Sequence, residues 1–198
     1  MPTLPFPELD LAATTSPDTL VLAGGCFWCV EAVFLPLEGV LGVRSGYTGG
    51  TRETATYQAV CSGTTDHAEA IEVRYDPARI TMGRLLQVFF GVAHDPTQLD
   101  RQGHDRGRQY RSAIFYKTED ERSVAEAYIQ QLNDARVFPD RIATTLEPLE
   151  TFYEAEPYHQ NYAARNPAQP YILFTALPKV EKLRDAHADL LKAPAAQG

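Results

Sequence analysis

Two cysteines in the run Gly-Gly-Cys-Phe-Trp-Cys over residues 24–29 have the spacing for thiol chemistry. Cys26 follows a short apolar strand and a double-glycine turn, and it is predicted to open a helix. Free amides at a helix start favour an anion and can lower a thiol pKa from about 8.5 to between about 3.5 and 7.5. The two glycines also leave the sulfur open to a substrate. Cys26 is therefore a predicted nucleophile; the alternative is a cysteine that packs as a small hydrophobe.

Cys29 lies one helical turn after Cys26, which places both sulfurs on one side of the helix. A sulfenic acid on Cys26 can condense with Cys29 to give a disulfide. A zinc site is the alternative, but zinc usually takes four ligands from two such pairs. The other candidates are Cys61 and scattered histidines, with no second pair, so redox chemistry is favoured. Cys61 follows Ala59 and Val60 and is predicted to be a packed cysteine.

Glu69 is the most informative carboxylate in the sequence. Residues 68–75 alternate as a strand, which puts Glu69 on the same face as Ile71, Val73 and Tyr75. A carboxyl on an apolar face has a raised pKa and can act as a general acid near neutral pH. The alternative is a solvent-exposed residue at the start of the strand.

Aromatic and polar residues elsewhere could complete a site. Phe27 and Trp28, between the two cysteines, can form an apolar wall for a methyl group or thioether, although core packing explains them equally well. Tyr57 and Tyr110 can donate hydrogen bonds, and Asp105 precedes Tyr110 in a polar loop. Because the chain has 10 tyrosines, composition specifies these two only weakly.

Two histidines and one further tyrosine are weaker candidates. His159 and Tyr162 are possible supporting members, although a structural role is favoured for both. A cysteine hydrolase that pairs Cys26 with His67 or His159 is conceivable, but the sequence offers no strong orienting partner.

Composition and charge restrict the class of protein. The 198-residue chain has a net charge of -8, so a nucleic-acid partner is not expected. No secretory signal or membrane-spanning run is recognised, so a cytoplasmic location is expected, where thiols stay reduced unless they are catalytic. The expected division is an arm over residues 1–18, a single catalytic domain over 19–192 and a flexible tail over 193–198.

Periodicity predicts alternating strands and helices. Strands are expected at 19–23, 40–47, 68–75, 110–116 and 142–146, and helices over about 26–35, 82–90, 119–135 and 180–190. The order β-α-β-β-α-β over the first two thirds predicts an α+β fold, a two-layer ferredoxin-like (split βαβ) sandwich with an additional C-terminal helix and loops.

These motifs, taken together and in order, resemble the A-type peptide methionine sulfoxide reductases. The resemblance covers about residues 18 to 168. The matching segments are 24–31, 46–50, 60–63, 67–69, 94–97, 107–112 and 158–160. It implies an enzyme that reduces methionine S-sulfoxide, in proteins and as the free amino acid, and that repairs oxidative damage.

The resemblance also implies roles for individual residues. Cys26 would attack the sulfoxide sulfur and Glu69 would protonate the departing oxygen. The resulting sulfenic acid would give a disulfide, recycled by an external dithiol such as thioredoxin. No metal or organic cofactor is required.

Substrate contacts are implied in the same way. Tyr57 and Tyr110 would hydrogen-bond the sulfoxide oxygen, and Asp105 would support the polar side of the site. Phe27 and Trp28 would enclose the methyl group of the substrate.

The sequence departs from the family pattern at two positions next to the site. Asp66 stands where glycine is usual and His104 where asparagine is expected, so substrate preference could differ. Some relatives place resolving cysteines near the C-terminus, but no cysteine follows Cys61 here, which leaves Cys29 as the local candidate. A thioredoxin-like disulfide oxidoreductase shares the Cys-x-x-Cys at a helix start and is the rival enzyme class.

Overall fold

A computed structural model describes residues 4–193 of the chain. The strands in this part of the chain are β1 (Asp18–Gly24), β2 (Val40–Thr48), β3 (Ala68–Tyr75), β4 (Arg101–Gln102), β5 (Asp105–Arg106), β6 (Ser112–Tyr116), β7 (Thr145–Pro148) and β8 (Phe152–Glu154). Its α-helices are α1 (Phe27–Phe34), α2 (Tyr57–Cys61), α3 (Met82–Val88), α4 (Glu119–Asp134), α5 (Tyr162–Arg165) and α6 (Leu177–Ala186). Within the described residues, no helix is both long and apolar enough to cross a membrane.

Six strands form one mixed sheet in the order β7-β6-β1-β3-β2-β8. The four strands β6, β1, β3 and β2 are antiparallel to their neighbours, β8 pairs antiparallel with β2, and β7 pairs parallel with β6. Strands β4 and β5 form a separate two-stranded hairpin. The architecture is therefore a mixed α/β fold.

The main core lies between the helices and one face of this sheet. Leu22 of β1 and Ile71 and Val73 of β3 point into it, where they meet residues of α1, α3 and α4. A smaller cluster on the opposite face contains mostly alanines, and Leu149 and Phe152 cover it. The bulky, helix-covered face therefore carries most of the apolar packing, and it is the face toward which odd-numbered residues of β3 point.

Several predicted elements shift in the structure. The predicted strand 142–146 lies further along the chain, as β7, because the parallel pairing with β6 begins at Thr145. Tyr110 ends a short 3-10 turn instead of opening β6. The helix expected over 180–190 begins at Leu177, is preceded by a π-helical segment at Ile172–Ala176, and ends at Ala186. Helix α2 and strand β8 had no clear sequence signal because both are short.

The predicted N-terminal arm makes specific contacts where it is described. The carbonyl of Pro5 accepts the Tyr128 hydroxyl at 2.8 Å, and Asp10 accepts the backbone N–H of Gly83 at 2.9 Å. The arm thus runs across α4 and α3, and its last predicted residue, Asp18, already belongs to β1. Of the predicted tail, residues 194–198 lie outside the described part of the chain.

Candidate active site

Cys26 stands immediately before the first residue of α1. Its backbone is non-helical, with φ -56° and ψ 123°, while its carbonyl already accepts the N–H groups of Cys29 and Val30 at 3.1 and 3.3 Å. Cys26 is therefore the N-cap of the helix, as the Gly-Gly-Cys pattern predicts. The residue is only 8% exposed, so its sulfur is reached through the cleft described below.

Gly25 allows the turn from β1 into α1 to be this tight. Its φ is +88°, and a Cβ at this position would lie 2.6 Å from Cβ of Gln102. Gln102 is held there by two hydrogen bonds, from Asp95 N–H to its Oε1 and from its Nε2 to the Asp95 carbonyl. The space that a side chain at Gly25 would need is therefore occupied by Gln102. The sequence pattern instead suggested that this glycine leaves room for the substrate.

Glu69 lies inside the molecule beside the start of α1. It is 2% exposed, and its Oε2 accepts the backbone N–H of Phe27 at 3.0 Å. Burial raises the pKa of this carboxyl to about 8, although the Phe27 hydrogen bond opposes that shift. The prediction that Glu69 shares the apolar face of β3 is confirmed, and the carboxyl is largely protonated at neutral pH.

The predicted lowering of the Cys26 pKa is wrong for the resting protein. Burial raises the pKa of the Cys26 thiol well above its ordinary value, and the hydrogen bond that this thiol donates to Cys29 raises it further. The first amide of the helix does not act on the sulfur, because the Glu69 carboxyl occupies it. The structure therefore holds Cys26 as a protonated thiol that already points at an acceptor.

Cys29 has the opposite electrostatic environment. The hydrogen bond from Cys26 lowers the pKa of the Cys29 thiol, and Lys179 contributes in the same direction, against the effect of burial. Cys29 Sγ also contacts the hydroxyl of Tyr171 at 3.9 Å. Cys26 is the non-helical N-cap residue and Cys29 is the third residue of α1, so the two thiols lie one turn apart at the same end of the helix.

Tyr171 connects this cysteine with Asp105. Its hydroxyl donates to Asp105 Oδ2 at 2.5 Å, and its ring meets Trp28 edge-on with ring centroids 6.1 Å apart. Asp105 reaches the site from β5 of the small hairpin. Sequence reasoning placed Asp105 in the site but missed Tyr171, which is one of ten tyrosines and lies outside the recognised motifs.

Tyr57 enters the site from the start of α2. Its backbone N–H donates to Glu156 Oε1 at 2.9 Å, and Oε2 of the same carboxylate accepts the Tyr47 hydroxyl at 2.8 Å. Burial raises the pKa of the Tyr57 hydroxyl, so it remains a hydrogen-bond donor across the physiological range. Glu156 had no sequence signal, yet it fixes where α2 begins.

Tyr110 lies opposite on the turn that precedes β6. Burial, with Glu69 as the next cause, raises the pKa of its hydroxyl. Gly107 lets the turn form, because its φ is +126° and a Cβ there would lie 2.3 Å from Gln109 Oε1. Two neutral phenols therefore accompany the protonated Glu69 carboxyl in one site.

Trp28 forms the apolar wall of the site. Its indole lies flat against Tyr162, with ring centroids 3.9 Å apart and 9° between the planes. Its Nε1–H donates to His159 Nδ1 at 3.1 Å. The stacking of Tyr162 on its face and the hydrogen bond to His159 fix the indole, so the expected apolar wall is present and is rigid.

His159 holds this wall as a neutral imidazole. Because Nδ1 accepts the Trp28 hydrogen bond, the ring proton is on Nε2, and burial lowers the pKa of the ring. Phe27 lies beneath, with its ring centroid 5.0 Å from that of His159. The supporting roles that the sequence suggested for His159 and Tyr162 are thus structural supports for Trp28.

These side chains line a single cleft of about 220 Å³. Its lining comprises Cys26, Phe27, Trp28, Tyr57, Glu69, Asp105, Tyr110, Gln169 and Tyr171. Every residue to which the family resemblance gave a catalytic or substrate-binding role lines the cleft except Cys29, which is 1% exposed. Gln169 and Tyr171 come from the segment before α6, which local sequence patterns did not connect with the site.

Cys61 is not the packed cysteine that the sequence suggested. It ends α2 and is exposed to solvent. The apolar residue before it, Val60, is the one that is buried. One turn of α2 places Cys61 against the hydroxyl of Tyr57, with which its thiol shares a hydrogen bond, so it lies at the outer margin of the site.

The two positions that depart from the family pattern lie outside the cleft lining. Asp66 forms a surface ion pair with Arg108 at 3.0 Å, and His104 is exposed in the turn between β4 and β5. Among residues 4–193, no group of three or more histidine, cysteine or acidic side chains is arranged to hold a metal ion.

Comparison with known proteins identifies the family. The family model described as peptide methionine sulfoxide reductase matches residues 18–191. "Peptide methionine sulfoxide reductase MsrA 2" of Synechocystis is 51% identical over 194 residues, which is 96% of this chain and 91% of that protein. A Thermus thermophilus protein named "Peptide methionine sulfoxide reductase MsrA" is 53% identical over 175 residues, 88% of this chain and 98% of the relative.

Solved structures agree with these sequence relatives. Reduced Mxr1 of Saccharomyces cerevisiae matches with a TM-score of 0.69 and 33% identity, over 82% of this chain and 92% of the yeast chain. Methionine sulfoxide reductase A of Corynebacterium diphtheriae matches with a TM-score of 0.65 and 35% identity, over 85% of this chain and 86% of the other. By sequence, by fold and by the residues that line its cleft, this chain belongs to the A-type peptide methionine sulfoxide reductase family.

Proposed function

We propose that this protein reduces methionine S-sulfoxide to methionine, with Cys26 as the nucleophile and Glu69 as the proton donor. One observation carries the proposal: the thiol and a carboxyl whose pKa is about 8 line the same narrow cleft. A sulfoxide oxygen leaves sulfur only when it is protonated, and a carboxyl that stays neutral at pH 7 can supply that proton.

The first step uses the hydrogen bond between the two thiols. As Cys26 attacks the sulfoxide sulfur, its proton passes to the thiolate of Cys29, the acceptor of that bond, which thereby becomes a neutral thiol. Glu69 gives its proton to the oxygen, which Tyr57 and Tyr110 hold with neutral phenol hydroxyls. The products are the thioether and a sulfenic acid on Cys26, so the oxygen has moved from the substrate to the enzyme.

Substrate selection is assigned to the wall opposite these polar groups. Trp28 and Phe27 receive the methyl group, while the oxygen faces Glu69 and the two tyrosines. A site that fixes sulfur, oxygen and methyl group leaves one direction for the remaining substituent, which selects a single epimer. The same three contacts serve free and protein-bound methionine sulfoxide, because none of them requires a peptide bond.

The resolving step is assigned to Cys29. Its thiol attacks the sulfenic sulfur of Cys26, forms the disulfide and releases water. The hydrogen bond between the two thiols supports this assignment. The disulfide requires two electrons from an external dithiol, for which thioredoxin is the proposed donor.

Fold, domain organisation and location complete the proposal. Residues 19–192 are proposed to be one catalytic domain with a split βαβ core, supported by the strand order β6-β1-β3-β2 with α1 and α3 on one face. A cytoplasmic location is proposed because two free thiols at the centre of the site suit a reducing compartment.

An assay on two substrates tests the proposal. The purified protein, with dithiothreitol, is given a peptide containing methionine S-sulfoxide and, separately, insulin. Conversion of the sulfoxide to methionine with little reduction of insulin disulfides is expected. Efficient reduction of insulin without sulfoxide reduction would favour the rival hypothesis of a thioredoxin-like oxidoreductase.

A further inference from the structure

We propose that the hydroxyl of Tyr171, held by Asp105, removes the proton of Cys29 while the Cys26–Cys29 disulfide forms. This inference rests on the proposed function, in which Cys29 is the resolving thiol. It gives Tyr171 a chemical role and gives Asp105, whose charge also acts on Glu69 and Tyr110, an additional role on the resolving side of the cleft. Asp105 acts through Tyr171 and is a positioning residue.

The geometry forms a continuous hydrogen-bonded chain. After the first step, when Cys29 is a protonated thiol, its Sγ is placed to donate to Tyr171 Oη at 3.9 Å, and Tyr171 Oη donates to Asp105 Oδ2 at 2.5 Å. Each group thus donates toward the next, and the chain ends on a carboxylate. The direction of the chain is the direction in which a proton must travel away from Cys29.

The location of Cys29 makes such a route necessary. The residue is 1% exposed and lies behind Cys26, so bulk water does not reach its sulfur. Once Cys29 has received the proton of Cys26, it is a neutral thiol and a poor nucleophile, because the thiolate is the attacking species. Apart from Cys26, the group in hydrogen-bonding contact with the Cys29 thiol is the hydroxyl of Tyr171, which can accept its proton.

The surroundings of Tyr171 suit a relay. Burial raises the pKa of its hydroxyl, so the phenol stays neutral and passes one proton on as it receives another. The edge-on contact with Trp28 fixes the ring. Lys179 favours the Cys29 thiolate and the charge of Asp105 opposes it, while Glu69 and Cys26 also interact electrostatically with Cys29. When Asp105 takes up the relayed proton, one of the opposing charges is removed.

Disulfide formation transfers one proton from Cys29 to Asp105 and takes another from Glu69. Cys29–SH loses its proton through Tyr171 to the Asp105 carboxylate, and its sulfur attacks the sulfenic sulfur of Cys26. The S–O bond breaks, and the hydroxyl leaves as water with a proton from Glu69, which solvent has replenished since the first step. Cys29 sulfur is oxidised and Cys26 sulfur is reduced by the same electron pair. Asp105 then returns its proton to solvent.

Rapid-quench kinetics on Tyr171→Phe test the relay. One equivalent of methionine S-sulfoxide peptide is mixed with the full-length protein at pH 7, and mass spectrometry follows sulfenic acid and disulfide separately. We expect disulfide formation to slow by about 10² or more, the usual effect of a positioned acid–base group, so that sulfenic acid accumulates. Tyr116→Phe, at the end of β6 and outside the cleft, is the matched control and should resolve at the wild-type rate.

The pH profile separates a relay from a structural support. Without the relay, disulfide formation must wait for direct ionisation of Cys29, so the Tyr171→Phe rate should rise by about tenfold per pH unit and approach wild type in alkaline solution. Asp105→Asn should show the same profile and provides a second variant if Tyr171→Phe does not fold. A wild-type rate at pH 7, or a loss that is equal at every pH, would overturn the relay.

A parallel measurement on Cys29→Ser distinguishes this inference from the proposed function. If Cys29→Ser stalls as a sulfenic acid while Tyr171→Phe resolves normally, only the relay is wrong. If Cys29→Ser still cycles with thioredoxin, the resolving assignment fails and the relay fails with it.

Discussion

Oε2 of Glu69 accepts the backbone N–H of Phe27 at 3.0 Å, so a carboxyl occupies the amide at the start of α1 beside Cys26. This contact explains how the start of α1 positions both the Glu69 carboxyl and the Cys26 thiol. The amide holds the acid in position, while the thiol of the N-cap residue relies on Cys29 as its hydrogen-bond acceptor. Acid and nucleophile are thereby fixed relative to one another by a single backbone unit.

Cys26→Ser is expected to remove sulfoxide reduction and to leave the fold intact. A serine hydroxyl is far less acidic and less nucleophilic than a thiol, and Ser is a good N-cap residue, so α1 should keep its start. Methionine produced from the S-sulfoxide peptide measures activity, and circular dichroism checks the fold. Measurable turnover by a folded Ser variant would remove Cys26 from its assigned role.

Glu69→Gln is expected to slow sulfenic acid formation by about 10²–10⁴-fold, the usual contribution of a general acid. The amide can keep the contact with Phe27 but cannot donate a proton to the oxygen as an acid. The matched control is Glu72→Gln, on the opposite face of β3, where the side chain pairs with Arg44 at the surface. Rates of the first turnover at pH 7 provide the comparison, and equal rates for the two variants would make Glu69 merely structural.

The ionisation of Glu69 should also make the free energy of unfolding depend on pH. The pKa of Glu69 is raised from 4.5 to about 8 in the folded state, so folding favours its protonated form. Stability from this group is complete below pH 4.5 and is lost as the pH rises toward 8, by up to about 1.4 kcal/mol per pH unit. Urea titrations across this range should therefore show a steeper fall for wild type than for Glu69→Gln. Parallel plots of unfolding free energy against pH for the two proteins would mean that the pKa of Glu69 is not raised in the folded state.

Epimer selection follows from the fixed wall. Trp28 is held by Tyr162 and His159, so the methyl group and the oxygen of a bound sulfoxide cannot exchange places. Reduction of the S epimer alone is expected when the two epimers of a methionine sulfoxide peptide are resolved by chromatography. Equal turnover of both epimers would contradict a site with three fixed contacts.

The sequence predicted the parts of the site that lie in compact motifs. Cys26 and Cys29 share one helix start, and the alternation of β3 placed Glu69 among apolar residues, so local rules were sufficient. Tyr171 and Glu156 escaped because they reach the site from distant segments, through tertiary packing that no local pattern encodes. The pKa of Cys26 was predicted in the wrong direction, since the sequence could not show that Glu69 takes the helix amide.

Short elements account for most of the differences in the fold. Helix α2 has five residues and β8 has three, too few for periodicity to emerge. The parallel partner of β6 was expected too early because its register depends on a contact with β6. The strands and helices with clear alternation or caps were found close to their predicted positions.

The roles of the three cysteines are expected to separate in a recycling assay. Cys29→Ser should complete one turnover and stall as a sulfenic acid, because the thiol in contact with Cys26 has been removed. Cys61→Ser should recycle with thioredoxin almost normally, since Cys61 lies at the margin of the site against Tyr57. Loss of recycling in the Cys61 variant, with the Cys29 variant unaffected, would reverse the assignment.

The mass of the wild-type protein after one turnover without reductant tests the chemistry of Cys26 and Cys29 most directly. We expect one equivalent of methionine, a protein lighter by two hydrogen atoms, and a proteolytic fragment in which Cys26 and Cys29 are joined. A retained oxygen atom on Cys26 with Cys29 still a free thiol, or a disulfide that includes Cys61, would contradict the assignment of Cys26 and Cys29.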